Sequence, residues 1–158
     1  NLEKSYFRLD FMFQEDDGND EVEDFNDWKG AYSFVTKWEN NAWYFWTDLS
    51  FADRKEGDVW GIQLMPFYDI TDKTQVIFCY THLESSGDDQ LRASRWEDRL
   101  DRGAYRGDDL TEYFFGLNHF FYGHKLKWQN GLQYTELEQA GTKEYEGWGF
   151  TTAFRISW

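Results

Sequence analysis

The sequence predicts an all-β chain: a transmembrane antiparallel up-and-down β-barrel with eight strands, forming one domain over residues 1–158. Three observations predict it. Eight segments of about ten residues alternate bulky apolar side chains with small or polar ones, the pattern of a strand with two unlike faces. That length matches a tilted strand crossing a bilayer. Aromatic residues make up 22% of the chain, where soluble cores rely on aliphatics.

Eight segments carry the alternation. The first, about 5–14, sets Phe7, Leu9, Phe11 and Phe13 against Arg8, Asp10 and Met12. The second, 30–38, sets Tyr32, Phe34 and Trp38 against Ser33, Val35 and Lys37. The third, 42–52, sets Trp43, Phe45, Leu49 and Phe51 against Tyr44, Trp46, Asp48 and Ser50. The fourth, 59–69, sets Trp60, Ile62 and Leu64 against Gly61, Gln63 and Met65. The fifth, 74–84, places Val76, Phe78 and Tyr80 outside, with Gln75, Ile77, Cys79 and Thr81 inside. The sixth, 111–121, sets Tyr113, Phe115, Leu117 and Phe121 against Glu112, Phe114, Gly116 and Asn118. The seventh, 125–136, sets Leu126, Trp128, Leu132 and Tyr134 against Lys127, Gln129, Gly131 and Gln133. The eighth, 148–158, sets Trp148, Phe150, Phe154, Ile156 and Trp158 against Gly149, Thr151, Ala153, Arg155 and Ser157. Pro66, the only proline, falls near the end of the fourth segment, where a missing N–H costs least.

The connections read as alternately long and short. Asn40-Asn41, Ile70–Lys73 and Tyr122-Gly123-His124 are short; 15–29, 53–58, 85–110 and 137–147 are longer. Outer-membrane barrels pair short periplasmic turns with long outside loops. Both chain ends are then expected on the periplasmic side of a bacterial outer membrane.

Charge agrees with this layout. There are 30 acidic and 16 basic residues, a net charge of −14, which excludes an electrostatic nucleic-acid binder. The acids concentrate in loops: residues 15–27 hold eight and no base. No apolar run reaches the roughly 18 residues of a transmembrane helix. No leader is recognisable before Asn1, as expected of a mature or trimmed chain. Cys79, the single cysteine, has no internal partner.

A water-soluble ligand-binding barrel is the rival that inverts the two faces. The proposed inner face favours the membrane barrel: it is rich in Gly, Gln, Ser, Thr and Ala and short of Lys and Glu. Trp28, Trp38, Trp43, Trp60, Tyr68, Trp148 and Trp158 also cluster near strand ends, as an interfacial girdle requires.

The stretch from Tyr113, YFFGLNHFFYGHKLKWQNGLQYTEL, and the later GWGFTTAFRISW carry a narrower signal. A strand with Gly116, Asn118 and Phe120, a turn with Gly123-His124, and a strand opening on Lys125 and Lys127 precede the final strand. This resembles the closing strands of the phosphate-selective porin O and P family of Gram-negative bacteria, over residues 74–158. The resemblance implies a passive diffusion channel, commonly a homotrimer of 16-stranded barrels, in contact with outer-membrane lipid and lipopolysaccharide, with no cofactor. The eight strands here would be its C-terminal half, or else a complete small barrel. A terminal aromatic is the mark such barrels present to insertion machinery.

Candidate lumen residues follow from the alternation: Arg8, Asp10, Lys37, Asp48, Glu112, Lys127 and Arg155. They line a water-filled pore if the assembled barrel has about 16 strands; eight strands leave a lumen filled by side chains, where these charges would pair. In LRASRWEDRLDR, residues 91–102, Arg95 precedes Arg99 and Trp96 precedes Leu100 by four, a helical spacing. Arg92, Arg95, Arg99 and Arg102 are therefore constriction candidates, or part of a helix capping the barrel. Asp16, Asp20, Glu21 and Asp24 are weak cation candidates, lacking the EF-hand glutamate at position twelve. His82, His119 and His124, with Ser85 and Ser86 near His82, raise a barrel-wall hydrolase. No spacing supplies a nucleophile, base and orienting acid, so no catalysis is expected.

The reading is an outer-membrane porin passing small hydrophilic or ionic solutes. Its rivals are a closed eight-stranded barrel with a structural or adhesive role and the hydrolase.

Overall fold

The computed structural model describes residues 5–13, 28–55, 57–93, 105–123 and 125–157. Among these, there is no helix. Eight strands form one antiparallel sheet: β1 (Tyr6–Phe13), β2 (Trp28–Asn40), β3 (Trp43–Arg54), β4 (Val59–Thr71), β5 (Thr74–Ser85), β8 (Asp109–Tyr122), β9 (Leu126–Gln139) and β10 (Thr142–Ile156). Two short strands, β6 (Leu91–Arg92) and β7 (Arg106–Gly107), form a separate ribbon between β5 and β8. The large sheet runs strictly in chain order, each strand paired with its sequence neighbours. It is not closed: β1 and β10 are its two edges.

All eight expected strands are present, and their boundaries correct the expected connections. The last strand begins at Thr142, not at 148. Ala140 (φ 50°) and Gly141 (φ 74°) make a two-residue hairpin turn, so 137–147 is no long loop. Residues 142–147 carry no apolar alternation, which hid the strand. The link from β3 to β4 is likewise short, residues 55–58. Long connections remain only at 14–27 and 86–108.

Pairing carries the alternation across the whole sheet. One row runs Phe7, Thr36, Thr47, Leu64, Tyr80, Tyr113, Tyr134, Trp148, each residue opposite the next. A neighbouring row on the opposite face runs Arg8, Val35, Asp48, Gln63, Thr81, Glu112, Thr135, Gly147. A one-residue slip in any pair would exchange the faces; along these rows register and alternation agree, and the register shifts only near strand ends, at Trp28/Gly30, Asp69/Thr71, Phe120/Tyr122 and Lys143/Tyr145.

The two faces differ in exposure in the inverse sense to a soluble protein. Trp148, Phe150 and Phe154 on the apolar face are about 70% exposed. On the polar face Thr135 is 2% and Asn118 5% exposed. The sheet curls toward the polar side: Glu39 of β2 and Lys127 of β9, five strand steps apart, line one groove.

The apolar stretch also slides along the strands. It spans Phe7–Phe13 in β1 and Trp148–Ile156 in β10. Phe7, the lower end of the first, shares a row with Trp148, the upper end of the last. The stretch has moved six to eight residues in seven strand steps. About one residue of rise (3.3 Å) per strand spacing (4.8 Å) corresponds to a tilt of about 35–40° between strands and the axis of the band.

Aromatics bound the stretch at both ends. Trp43 lies against Tyr68, ring centroids 4.6 Å apart, near the short turns. Toward the other end Tyr80, Tyr113, Tyr134 and Trp148 touch in sequence, with ring centroids 5.4, 6.5 and 4.9 Å apart. Beyond that row the same face turns polar, with His82, Thr111, Glu136 and Glu146. Polar groups inside the stretch satisfy one another: Thr36 bonds Thr47 (2.7 Å), and Trp128 donates to Thr152, which donates to Asn130 (both 2.9 Å).

Candidate functional site

The seven predicted lumen residues, Arg8, Asp10, Lys37, Asp48, Glu112, Lys127 and Arg155, all lie on the concave face. Among the described residues, Arg8 and Asp10 are the two of the seven that form an ion pair with each other. The Arg8 guanidinium donates to Asp10 of its own strand at 2.6 Å. The Lys37 ammonium sits 4.0 Å over the Trp46 ring, a cation–π contact. Asp48 accepts hydrogen bonds from Ser33 (2.9 Å) and Ser50 (2.8 Å). Glu112 accepts from Gln133 (2.6 Å) and Thr135 (2.9 Å). Lys127 lies 5.9 Å over Phe120, beside Arg155 in register.

Near the short turns an amide track crosses four strands. Asp69 of β4 accepts from Gln75 of β5 at 2.8 Å. Gln75 accepts from Asn118 of β8 at 3.1 Å, and Asn118 from Gln129 of β9 at 2.9 Å. A carboxylate only accepts, so Asp69 fixes the direction of every amide in the track. The track floors a groove of about 600 Å³, with Trp46 and Phe67 on one wall, 4.9 Å apart, and Phe120 on the other. Alternation had placed Gln75, Asn118 and Gln129 inside; what it did not supply was the register that joins them.

At the opposite end Leu91–Ala93 and Tyr105–Gly107 lie over the concave face. Leu91 and Ala93 bury against Leu110 and Leu137, with Leu137 at 0% exposure. Val59, Leu83, Tyr105 and Tyr145 close around this cluster. β7 follows β9 so closely that a Cβ on Gly107 would meet the Glu138 carbonyl, and Asp108 N–H donates to that carbonyl at 2.9 Å. The Asp108 carboxylate accepts from Ala140 N–H at 3.0 and 3.2 Å. The expected helix is not found where the segment is described: Leu91–Arg92 is a strand paired with Arg106–Gly107. The arginine of that strand, Arg92, is exposed. Arg95, Arg99 and Arg102 lie outside the described residues, as do Asp16, Asp20, Glu21 and Asp24, His124 and Trp158.

The two described histidines, His82 and His119, lie on different strands. His82 is on the convex face, its Nδ1 3.1 Å from the Thr111 hydroxyl and 3.6 Å from Asp109. Ser85 is on the opposite face and accepts from Gly87 N–H at 3.1 Å. His119 meets Thr74 at 3.2 Å. Above the apolar stretch, Lys143 bridges Glu136 and Glu146, both at 2.7 Å. These bonds hold the Lys143 ammonium above its usual value and the Glu146 carboxyl below its own.

No family model, curated protein or solved structure matches this chain.

Proposed function

We propose that this chain forms the wall of an outer-membrane β-barrel that acts as a porin, a passive diffusion channel for small hydrophilic or ionic solutes. The observation that carries the reading is the pairing of a mainly apolar, exposed face with a mainly polar face across all eight strands. Water rewards the opposite arrangement; lipid rewards this one, provided every backbone group is paired. The stagger of about one residue per strand matches the 35–45° tilt of membrane barrels. Resemblance of the closing strands to the phosphate-selective porin O and P family points the same way.

The open edges favour a wide barrel over a closed eight-stranded one. β1 and β10 each present an unpaired ladder, and inside a bilayer that ladder must find a strand. Further strands, from the same polypeptide or another copy, complete the wall at about sixteen, where water fills the lumen. Apart from the Arg8–Asp10 pair on β1, the concave charges Lys37, Asp48, Glu112 and Lys127 meet hydroxyls, amides and rings. That leaves them fit to bias the ions entering a water-filled path. The β6–β7 ribbon narrows the mouth at the long-loop end.

The test is conductance. Protein refolded into planar bilayers is expected to insert in steps of uniform conductance. Insertion into vesicles with no conductance would favour the filled barrel with a structural or adhesive role.

A further inference from the structure

The groove beside the short turns has separated charges. Asp69 and Glu39 lie on its β2–β4 side, and Lys127, with Arg155 next to it, on its β9–β10 side. Among the described residues no ion pair involves any of these four. Lys37, the nearest base to Glu39 along β2, is seated on the Trp46 ring instead. Between the two charged sides runs the track Asp69–Gln75–Asn118–Gln129.

Each part of this arrangement asks for a particular group. Asp69, with the Tyr44 hydroxyl beside it, is an acceptor site for an ammonium. Lys127 is a donor site for a carboxylate, and its ammonium reaches over Phe120 of β8. Amide side chains fixed in one direction offer donors and acceptors matched to peptide groups. From β4 to β8 is two strand spacings, about 10 Å. Three extended residues span about 10 Å. A sugar would find no use for the charge separation, and a simple ion would satisfy only one side.

We infer that this groove binds a short zwitterionic peptide, of about three residues, with its α-ammonium at Asp69 and its carboxylate at Lys127. The inference rests on the porin reading and names a solute class for it: the groove is a way-station on the periplasmic side of the lumen.

Binding is measured on detergent-refolded protein by calorimetry, which needs no channel. Triglycine, N-acetyl-triglycine, triglycine amide and maltotriose are the probes. Triglycine is expected to bind, and blocking either terminus to weaken it roughly tenfold, the size of one charge-assisted hydrogen bond. Asp69→Asn removes the preference for the free ammonium, Lys127→Gln that for the free carboxylate, and Asp69→Glu restores the first. Folding of each variant is checked by its gel shift on heating. Equal binding of the blocked peptides, tighter binding of maltotriose, or no binding of triglycine overturns the proposal. Conductance without peptide binding sinks this inference alone; peptide binding without conductance sinks the channel alone.

Discussion

Phe7 and Trp148 lie in one row of paired residues that crosses all eight strands, yet they mark opposite ends of the apolar face. Ser5 precedes Phe7 just before its strand begins, and Glu146 lies above Trp148 on β10. The band is therefore oblique to the hydrogen-bonding direction. A soluble sandwich needs no such obliquity; a sheet standing tilted in a slab does.

A charge placed on the convex face should block insertion, whereas one on the concave face should not. Phe115 is 54% exposed between Tyr113 and Leu117. Phe115→Arg is expected to cost about 2–4 kcal/mol of stability in lipid, the range for a basic residue near the midplane. Thr81→Arg, opposite Glu112 on the polar face, should fold normally. Gel shift after folding into vesicles reads both. Equal folding of the two variants would contradict the assignment of faces.

Phe114 lies across two glycines. A Cβ at Gly131 or Gly116 would run into its ring. Gly131→Ala should destabilise by about 1–3 kcal/mol through overpacking. Phe114→Leu in the same chain should recover most of the loss, because the two changes share one contact. Denaturant unfolding from vesicles measures the coupling; simple additivity would show that the ring is not the obstacle.

Leu137 anchors the β6–β7 ribbon. Leu137→Ala should cost about 2–5 kcal/mol, the range for an emptied leucine site. It should also speed proteolysis between Ser86 and Asp108. On the proposed porin reading, in which the ribbon would narrow one mouth, the variant is expected to show larger and noisier conductance in bilayers. Unchanged cleavage would mean that the backbone bonds of Asp108 hold the ribbon without the apolar cluster.

Strands and faces were legible because period-two alternation is local: Phe7, Leu9 and Phe11 need no knowledge of other strands. Turn chemistry was read less well. Ala140-Gly141 closes a tight hairpin, but the flanking residues lie beyond the apolar stretch and lose the pattern that marks a strand. The seven candidate lumen charges share the face that alternation gave them, but alternation named no partner for any of them. Whether Asp48 meets a lysine or two serines depends on register, which alternation does not encode. The groove was missed for the same reason: Asp69 and Gln129 are 60 residues apart and meet only through the ladder. The helical spacing of 91–102 was overridden at its start by strand pairing of Leu91 with Gly107.

The most direct test of a tilted, lipid-facing sheet is the depth of the two residues that share a row. In a Cys79→Ala background, Phe7→Cys and Trp148→Cys carry spin labels, and a label at Phe115→Cys marks the middle. Relaxation by oxygen and by a water-soluble nickel chelate gives depth in vesicles. The expected result is oxygen access at all three sites, with positions 7 and 148 on opposite sides of the midplane. Seven strand spacings at the inferred tilt separate them by about 20 Å along the normal. Equal depth at the two sites, or full access of the nickel chelate to all three, would contradict it.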